Sequence, residues 1–284
     1  MNLTVAIYNQ KTLQKCLGFA KTAVLMCPKY AYIYEDDFDI DGAVQYCLNN
    51  SIDIVLAINR IFMEDELDDI RKFILKYKQY KFLISDLGVI KIFQELGLSK
   101  HVIYDPDTLI CNSSDLAIYN SYGFDALGMS NEILINDVVA SFEKTNAPIF
   151  YQVFGRKLMF YSKRKLLSLY EQYKQIEFTK KDLSLVEEKR SYHIPIFENE
   201  NGIYCFRHYF ISLLNEIDRL SFLKYSYVET ITLYDDEVVS VLKAFTDNDI
   251  NELNKLNLDI EDGFAYSDTV YVKEKIVQWE RLNY

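Results

Sequence analysis

The densest group of side chains able to do chemistry lies in one ten-residue segment. This segment, Arg156–Lys165, is called the basic segment below. Half of its residues are basic, and two aromatic residues lie among the cations. The five basic residues are Arg156, Lys157, Lys163, Arg164 and Lys165. Clustered cations beside aromatic rings can contact the phosphates and bases of RNA, or an acidic protein surface. The alternative is a solvated helix face whose aromatics point to the core. The segment holds no cysteine, histidine or acid, so it offers binding groups without a catalytic one.

The acidic run near the N-terminus resembles the first half of a calcium loop. Asp37, Asp39, Asp41 and Gly42 match the opening of the EF-hand pattern. The twelfth position of that pattern requires a bidentate glutamate, but it is Leu48 here, and the intervening residues have a helical pattern. A solvated helix entrance capped by Asp39 is therefore the better interpretation, and we predict no metal site.

Histidines and cysteines give no recognisable catalytic motif. The three histidines occur outside any HExxH, GxSxG, GxGxxG or phosphate-binding loop pattern, which favours structural roles. The five cysteines are odd in number and contain no CxxC pair, which favours small buried thiols over disulfides or metal ligands. They are Cys16, Cys27, Cys47, Cys111 and Cys205.

Bulk composition limits the class of protein. The 284 residues are 50% hydrophobic and 26% charged, as in a globular chain with a full core. The net charge of -11 argues against general nucleic-acid binding, although a local basic patch could still contact RNA. No apolar run reaches 18 residues and no signal peptide is visible, so we expect a cytoplasmic protein that does not enter a membrane.

Short apolar runs alternate with amphipathic helical stretches along the chain. Eight such units predict an α/β fold, most simply a closed (β/α)8 TIM-like barrel, with a doubly wound open sheet as the rival. We expect helix N-caps at Asp39 and Ser113. The eight predicted strands are Leu3–Tyr8, Thr22–Met26, Asp53–Ile58, Lys81–Ser85, His101–Tyr104, Asp125–Gly128, Pro148–Val153 and Val228–Leu233.

The interval between predicted strands seven and eight is too long for one crossover helix. This insertion, residues 154–227, contains a helix-like stretch (Arg156–Gln175), a hairpin and a second helical pattern (Ile211–Lys224). In the hairpin, Ile194–Phe197 and Ile203–Phe206 flank a turn that ends in Asn-Gly. Loops after barrel strands carry function, so chemistry is expected there. We predict a barrel domain over 1–247 and a packed C-terminal extension over 248–284, with a strand-like run at Phe264–Val272 and a final helix.

At the insertion the chain resembles the collagenase-like peptidase family U32. The likeness is carried by Phe154–Ser168, Leu185–Arg190 and Pro195–Tyr204, and it extends to Asp262–Phe264 near the C-terminus. It is most similar to the partner-type subunits of Gram-positive bacteria. Residues after the barrel strands also match, which makes Asn59, Asn112 and Glu132 candidates for binding a ligand at the barrel mouth.

The resemblance implies more than proteolysis. Better understood members of the family act in oxygen-independent hydroxylation, including prephenate-dependent hydroxylation of tRNA uridine. They hold a [4Fe–4S] cluster on four cysteines, and related subunits work as heterodimers.

The departures from the family pattern concern the chemistry itself. Phe154 stands where the family has a histidine, and Leu158 and Lys165 stand where it has its first two cluster cysteines. Neither side chain supplies the thiolate that a cluster needs. We therefore predict no cluster and a non-catalytic subunit that binds a cluster-bearing relative and presents its basic segment to tRNA. The alternatives are an active peptidase or other hydrolase, and a barrel that binds a small molecule.

Overall fold

A computed structural model describes residues 2–178, 183–189 and 191–267. Its centre is a barrel of eight parallel strands, as the sequence predicted. The seventh strand pairs with the last, Tyr225 opposite Phe150, and the last pairs with the first, Leu3 opposite Ser226, so the sheet closes. The barrel strands are β1 (Leu3–Ile7), β2 (Thr22–Met26), β3 (Asp53–Ile58), β4 (Lys81–Ile84), β5 (Val102–Tyr104), β6 (Ala126–Gly128), β7 (Ile149–Gly155) and β13 (Tyr225–Val228).

Seven of the eight barrel strands are followed by a helix on the outside of the barrel, whereas β7 is followed by the insertion, which contains the helix α7. The helices are α1 (Gln10–Lys15), α2 (Ile40–Asn49), α3 (Leu67–Lys76), α4 (Leu87–Glu95), α5 (Ser113–Asn120), α6 (Ile135–Thr145), α7 (Leu166–Lys174), α8 (Asp235–Asp247) and α9 (Ile250–Asn254). None of the helices in the described part of the chain is long and apolar enough to cross a membrane.

Side-chain caps begin several of these helices. Asn112 caps α5 by accepting hydrogen bonds from the backbone N–H groups of Ser114 and Asp115, so the cap lies one residue before the predicted Ser113. Asp39 precedes α2 as predicted, but its side chain makes no capping hydrogen bond.

The insertion forms an antiparallel sheet rather than the predicted long helix. Its strands are β8 (Leu158–Ser162), β9 (Leu183–Leu185), β10 (Ile194–Asn199) and β11 (Gly202–Phe206), in the order β8-β11-β10-β9. The predicted hairpin is correct, with Glu198 opposite Ile203. The helical prediction over Arg156–Gln175 is wrong in its first half, where aromatic residues pair with β11 as a strand and only α7 is helical.

Two further predictions fail near the end of the insertion. The segment Ile211–Lys224 is mostly non-helical, since β12 (Phe210–Ser212) pairs antiparallel with β7 and a short 3₁₀ turn follows. The eighth barrel strand is Tyr225–Val228, not Val228–Leu233. Tyr225 and Tyr227 point into the barrel with Phe150, and this packing fixes the register.

The chain after α9 adds a strand to the edge of the barrel sheet, next to β12. Strand β14 (Ile260–Glu261) pairs parallel with β12, with Ile260 opposite Phe210. The backbone carbonyl of Ala265 then accepts a hydrogen bond from Ile135 N at the start of α6. The predicted strand-like run extends past Ser267, and it and the final helix lie largely outside the described residues.

Candidate functional site at the barrel mouth

The antiparallel sheet of the insertion covers the C-terminal end of the barrel. One face of this sheet packs against the mouth through Tyr204 and Phe206, which are fully buried. The hairpin turn is fixed to the loop after β2, because Asn199 Nδ2 donates to the carbonyl of Tyr32 at 2.9 Å. A cavity of about 220 Å³ remains beneath the sheet, lined by side chains from β4, β7, β8, β11 and β13 and from the loops after β2, β3, β4, β5 and β7. The barrel mouth is therefore a covered pocket.

A buried carboxylate organises one side of the mouth. Glu229 follows β13 directly and is 1% exposed. Its Oε1 accepts from the hydroxyl of Tyr8 at 2.7 Å, and its Oε2 accepts from the hydroxyls of Tyr32 and Tyr227, both at 2.8 Å. The backbone N–H of Ile231 donates the fourth hydrogen bond. Burial and the neighbouring Glu229 charge raise the pKa of all three tyrosines, so these hydroxyls remain donors.

Gly155 allows the end of β7 to lie against the backbone of Glu229. Its φ of +115° is unfavourable for residues with a side chain, and a Cβ there would lie 2.3 Å from the carbonyl oxygen of Glu229. The glycine that precedes the basic segment therefore has a steric role.

A second charged group lies in the lining of the cavity. Lys157 is 5% exposed, and its Nζ lies 2.5 Å from Asp107 Oδ1. Burial disfavours the charge of Lys157, but Asp107 and Asp105 outweigh this effect and raise its pKa. For Asp105, burial is the main effect, only partly opposed by Lys157, and it raises the pKa to about 6. The mouth thus holds a lysine whose charge is neutralised by the aspartates of the loop after β5.

Two other cations of the basic segment are also bound internally. Arg156 Nε donates to Thr232 Oγ1 at 2.9 Å, its NH1 donates to the carbonyls of Arg207 and His208, and its guanidinium stacks over Phe210. Lys163 Nζ lies 3.0 Å from Glu66 Oε2.

The carboxylate of Glu66 is shared with a second cation. Arg60 NH2 lies 2.7 Å from Glu66 Oε1 and is almost fully buried. Burial alone would raise the pKa of Glu66, but hydrogen bonds from Arg60, the Met63 N–H and Lys163 lower it to about 2. Arg60 and Lys163 therefore flank a permanently ionised acid.

The five sequence-predicted cations therefore separate into two groups. Arg156 and Lys157 line the cavity and Lys163 is paired, whereas Arg164 and Lys165 are exposed beside the N-terminus of α7. The structure does not bring the five together as one open basic surface. Lys157 in particular is too buried to contact a macromolecule in this conformation.

Of the predicted mouth ligands, only Asn59 lines the cavity, where its Oδ1 accepts from Tyr32 N at 3.3 Å. Asn112 is used as the cap of α5, and its amide donates to Asp115 at 2.7 Å. Glu132 pairs with Arg207 at 2.8 Å. The three residues do not converge on one site.

The cysteines do not fit an iron–sulfur cluster. Cys16, Cys27 and Cys47 are buried in the barrel and helix layer, where burial raises the pKa of each thiol. Cys205 lies on the outer face of the inserted sheet, while its neighbours Tyr204 and Phe206 face the mouth. Leu158 lines the cavity and Lys165 is exposed. Across residues 2–178, 183–189 and 191–267, no cysteine belongs to a set of three possible ligands close enough to share a metal.

One set of possible metal ligands within the described chain does come together through strand pairing. His208 Nε2 lies 3.9 Å from both Asp259 Oδ2 and Glu261 Oε1, beside β12 and β14. The side chains of Asp259 and Glu261 are 61% and 50% exposed, and both distances exceed hydrogen-bond length. These three groups lie on the outer sheet edge, away from the cavity lining.

The residues that organise the mouth were missed by sequence reasoning. Asp105 and Glu229 each follow a barrel strand directly, a position that marks functional side chains in this architecture. The signal was available for Asp105. For Glu229 it was hidden, because the predicted eighth strand began at Val228 and placed the glutamate inside it.

Comparison with known proteins agrees with this geometry. The family model described as Peptidase family U32 matches residues 35–259. The Bacillus subtilis (strain 168) protein named tRNA hydroxylation protein P2 is 23% identical over 264 aligned residues, covering 82% of this chain and 85% of that protein. The solved structure of the U32 peptidase Mk0906 superimposes with a TM-score of 0.51 at 9% identity, covering 81% of this chain and 92% of that chain. Because the family model spans most of the sequence, the chain belongs to peptidase family U32.

Proposed function

We propose that this chain is a non-catalytic subunit in prephenate-dependent 5-hydroxylation of tRNA uridine, and that it works as a heterodimer with a cluster-bearing relative. The observation that carries the proposal is the lining of the barrel mouth. Leu158 occupies it where the family resemblance implies a cluster cysteine, and the thiol of Cys205 lies on the opposite face of the covering sheet. The mouth therefore lacks thiolate ligands for redox chemistry.

The relative named for tRNA hydroxylation supports the process assigned here. The same comparison supports a two-subunit arrangement, since that protein's name numbers it as P2. If the redox chemistry takes place on another chain, this one contributes binding surface. Arg164 and Lys165 are the cations of the basic segment exposed for contact with tRNA phosphates.

Deletion of the gene in its native host tests the proposal. We expect loss of 5-hydroxylated uridine in total tRNA, measured by mass spectrometry of nucleosides, and recovery on complementation. Purification of the tagged chain from the same host should recover a cysteine-complete member of the family in equal amount. Unchanged tRNA modification in the deletion strain, or a chain that purifies without such a relative, would argue against this function.

A small-molecule-binding barrel is the second candidate, and one observation favours it. The rings of Tyr161 and Tyr204 stack in parallel at 4.8 Å, and both hydroxyls are buried beside each other in the cavity lining, where neither makes a hydrogen bond of normal geometry to the described residues. Buried hydroxyls are ordinarily paired, so a polar ligand could satisfy both. A thermal-shift screen with small carboxylic acids distinguishes this role, since a stabilising ligand should lose its effect in Tyr204→Phe. No hydrolase activity is supported, because Ser85, the serine of the described cavity lining, makes no hydrogen bond to a base.

A further inference from the structure

The outer face of the insertion carries an unusual concentration of exposed apolar side chains. Nine of the 21 large apolar side chains exposed in the described chain lie between Met159 and Val186. A groove of about 680 Å³ runs between α7 and the outer face of the sheet, lined by Met159, Phe160 and other apolar residues. Antiparallel sheets usually present one apolar face, but this one has the barrel mouth on one side and an apolar groove on the other.

Helix α7 presents most of this surface. Leu166, Leu169, Tyr170 and Tyr173, which we call the apolar stripe, follow the i, i+3, i+4, i+7 spacing of one helix face. Their exposed fractions are 38%, 51%, 47% and 79%. That spacing is the usual pattern of a helix face that packs against another element, yet here it faces solvent.

The helix is held by its ends rather than by burying this face. Both carboxylate oxygens of Glu198, on β10, accept hydrogen bonds from the N–H groups of Leu167 and Ser168 at 2.7 and 3.0 Å. Glu171 accepts from Phe178 N after the helix ends. No residue of α7 is fully buried. A nine-residue helix has marginal stability on its own, so these contacts at its ends hold it in place. They leave the apolar stripe exposed, in a position to contact an external partner.

The charges around the apolar stripe indicate what kind of partner. Residues 163–178 contain four cations and two acids, a net charge of +2 in a chain of -11. Lys165 and Lys174 lie at the two ends of the helix, and Lys174 Nζ is 5.1 Å from the ring of Tyr173. A two-fold pairing of this surface with itself would place cations against cations, which disfavours a second copy of this chain.

We propose that the apolar stripe of α7 is the docking surface for a different protein chain, one whose apolar contact face is edged by carboxylates. This rests on the proposed function, under which that chain is the cluster-bearing relative. Its apolar face covers Leu169 and Tyr173, and its acidic rim faces Lys174 at the C-terminal end of the helix, which leaves Arg164 and Lys165 at the other end for tRNA.

The experiment uses the full chain co-expressed with the cysteine-complete family member of the same host, with affinity measured by calorimetry on the separated proteins. Leu169→Gln/Tyr173→Gln should weaken binding at least tenfold, because truncated central apolar contacts dominate interface energetics. The matched control is Leu75→Gln/Ile118→Gln, which alters two similarly exposed side chains on α3 and α5 and should bind within twofold of wild type. Lys174→Glu should also weaken binding, with a smaller salt dependence. Circular dichroism confirms that each variant is folded.

Equal affinity of the stripe variant and wild type would overturn the inference, as would failure of the cysteine-complete relative to bind at all. Dimerisation of the chain alone that is lost in the stripe variant would also overturn it, by assigning the surface to a second copy. The tRNA measurement in the deletion strain is independent of these results. If tRNA hydroxylation requires the gene but the stripe variant binds the relative as tightly as wild type does, this inference is rejected and the proposed function is retained.

Discussion

Gly155 and Glu229 are in backbone contact at the end of the barrel, so closely that a Cβ on Gly155 would lie 2.3 Å from the Glu229 carbonyl oxygen. The contact joins the last residue of β7 to the first residue after β13. It sets the position of the carboxylate that holds three buried tyrosines together. The mouth of this barrel depends on that close approach.

Gly155→Ala should therefore be strongly destabilising, by roughly 3 kcal/mol or more, because it combines left-handed backbone strain with a steric clash. Gly18→Ala is the matched control, since Gly18 has a φ of +91° but nothing within 4 Å of an added Cβ. It should cost only the backbone strain, about 1 kcal/mol. Urea unfolding measures both variants, and equal losses would show that the contact with Glu229 is unimportant.

Removing the Glu229 carboxylate should destabilise the barrel more than removing any of its partners. Glu229→Leu leaves the hydroxyls of Tyr8, Tyr32 and Tyr227 without their acceptor, which we expect to cost about 3–5 kcal/mol. Tyr32→Phe removes one donor and should cost about 1 kcal/mol. A stability for Glu229→Leu within 1 kcal/mol of wild type, measured by thermal or urea unfolding, would contradict this role.

Asp105 should give the protein a distinctive pH dependence. Its folded-state pKa is raised from 3.8 to about 6, so between these values the folded state binds more protons than the unfolded state. Stability contributed by this group is therefore highest below pH 4 and falls as pH rises to 6. Asp105→Asn should remove this decline. Compared with the difference between the two proteins at pH 4, the free energy of unfolding of the variant at pH 7 should then be higher than that of wild type by roughly 1–3 kcal/mol. Unfolding curves from pH 4 to 7 compare the two proteins, and parallel pH profiles would exclude the raised pKa.

Contact with tRNA should depend on the exposed end of the basic segment. Arg164→Ala/Lys165→Ala should weaken binding of the host's total tRNA several-fold and lower the salt slope, because phosphate contacts release counterions. Lys72→Ala/Lys91→Ala, which removes two exposed cations from α3 and α4, is the control and should have little effect. Filter binding at two salt concentrations provides the measurement. Equal weakening in both variants would indicate only the general effect of net charge.

Most of the barrel could be predicted from the sequence because its first seven strands are short apolar runs, the first six of which are followed by helices. The eighth strand could not be predicted, because Tyr225–Val228 includes a serine. The residues that follow, with Val228, Ile231 and Leu233, match the apolar pattern of a strand more closely. The strand β8 was also missed. Its aromatic residues suit either a helix face or a sheet, and only pairing with β11 decides between them.

The candidate site was harder to predict than the fold. Arg156 and Lys157 looked like surface cations, but their partners, Thr232 and Asp107, are 76 and 50 residues away in sequence. Likewise, the cluster around Glu229 joins residues 8, 32 and 227. Such contacts arise from barrel closure, and no local pattern encodes them.

Under the proposed function, this chain supports tRNA hydroxylation without thiol chemistry of its own. The most direct measurement is complementation of the deletion strain by a chain in which Cys111 and Cys205 are serine and the buried Cys16, Cys27 and Cys47 are alanine. With protein levels matched by immunoblot, this cysteine-free chain should restore 5-hydroxylated uridine in tRNA to the level given by wild type. Failure to restore it, reproduced by Cys205→Ser alone at normal protein level, would show that a thiol of this chain takes part and would contradict the account.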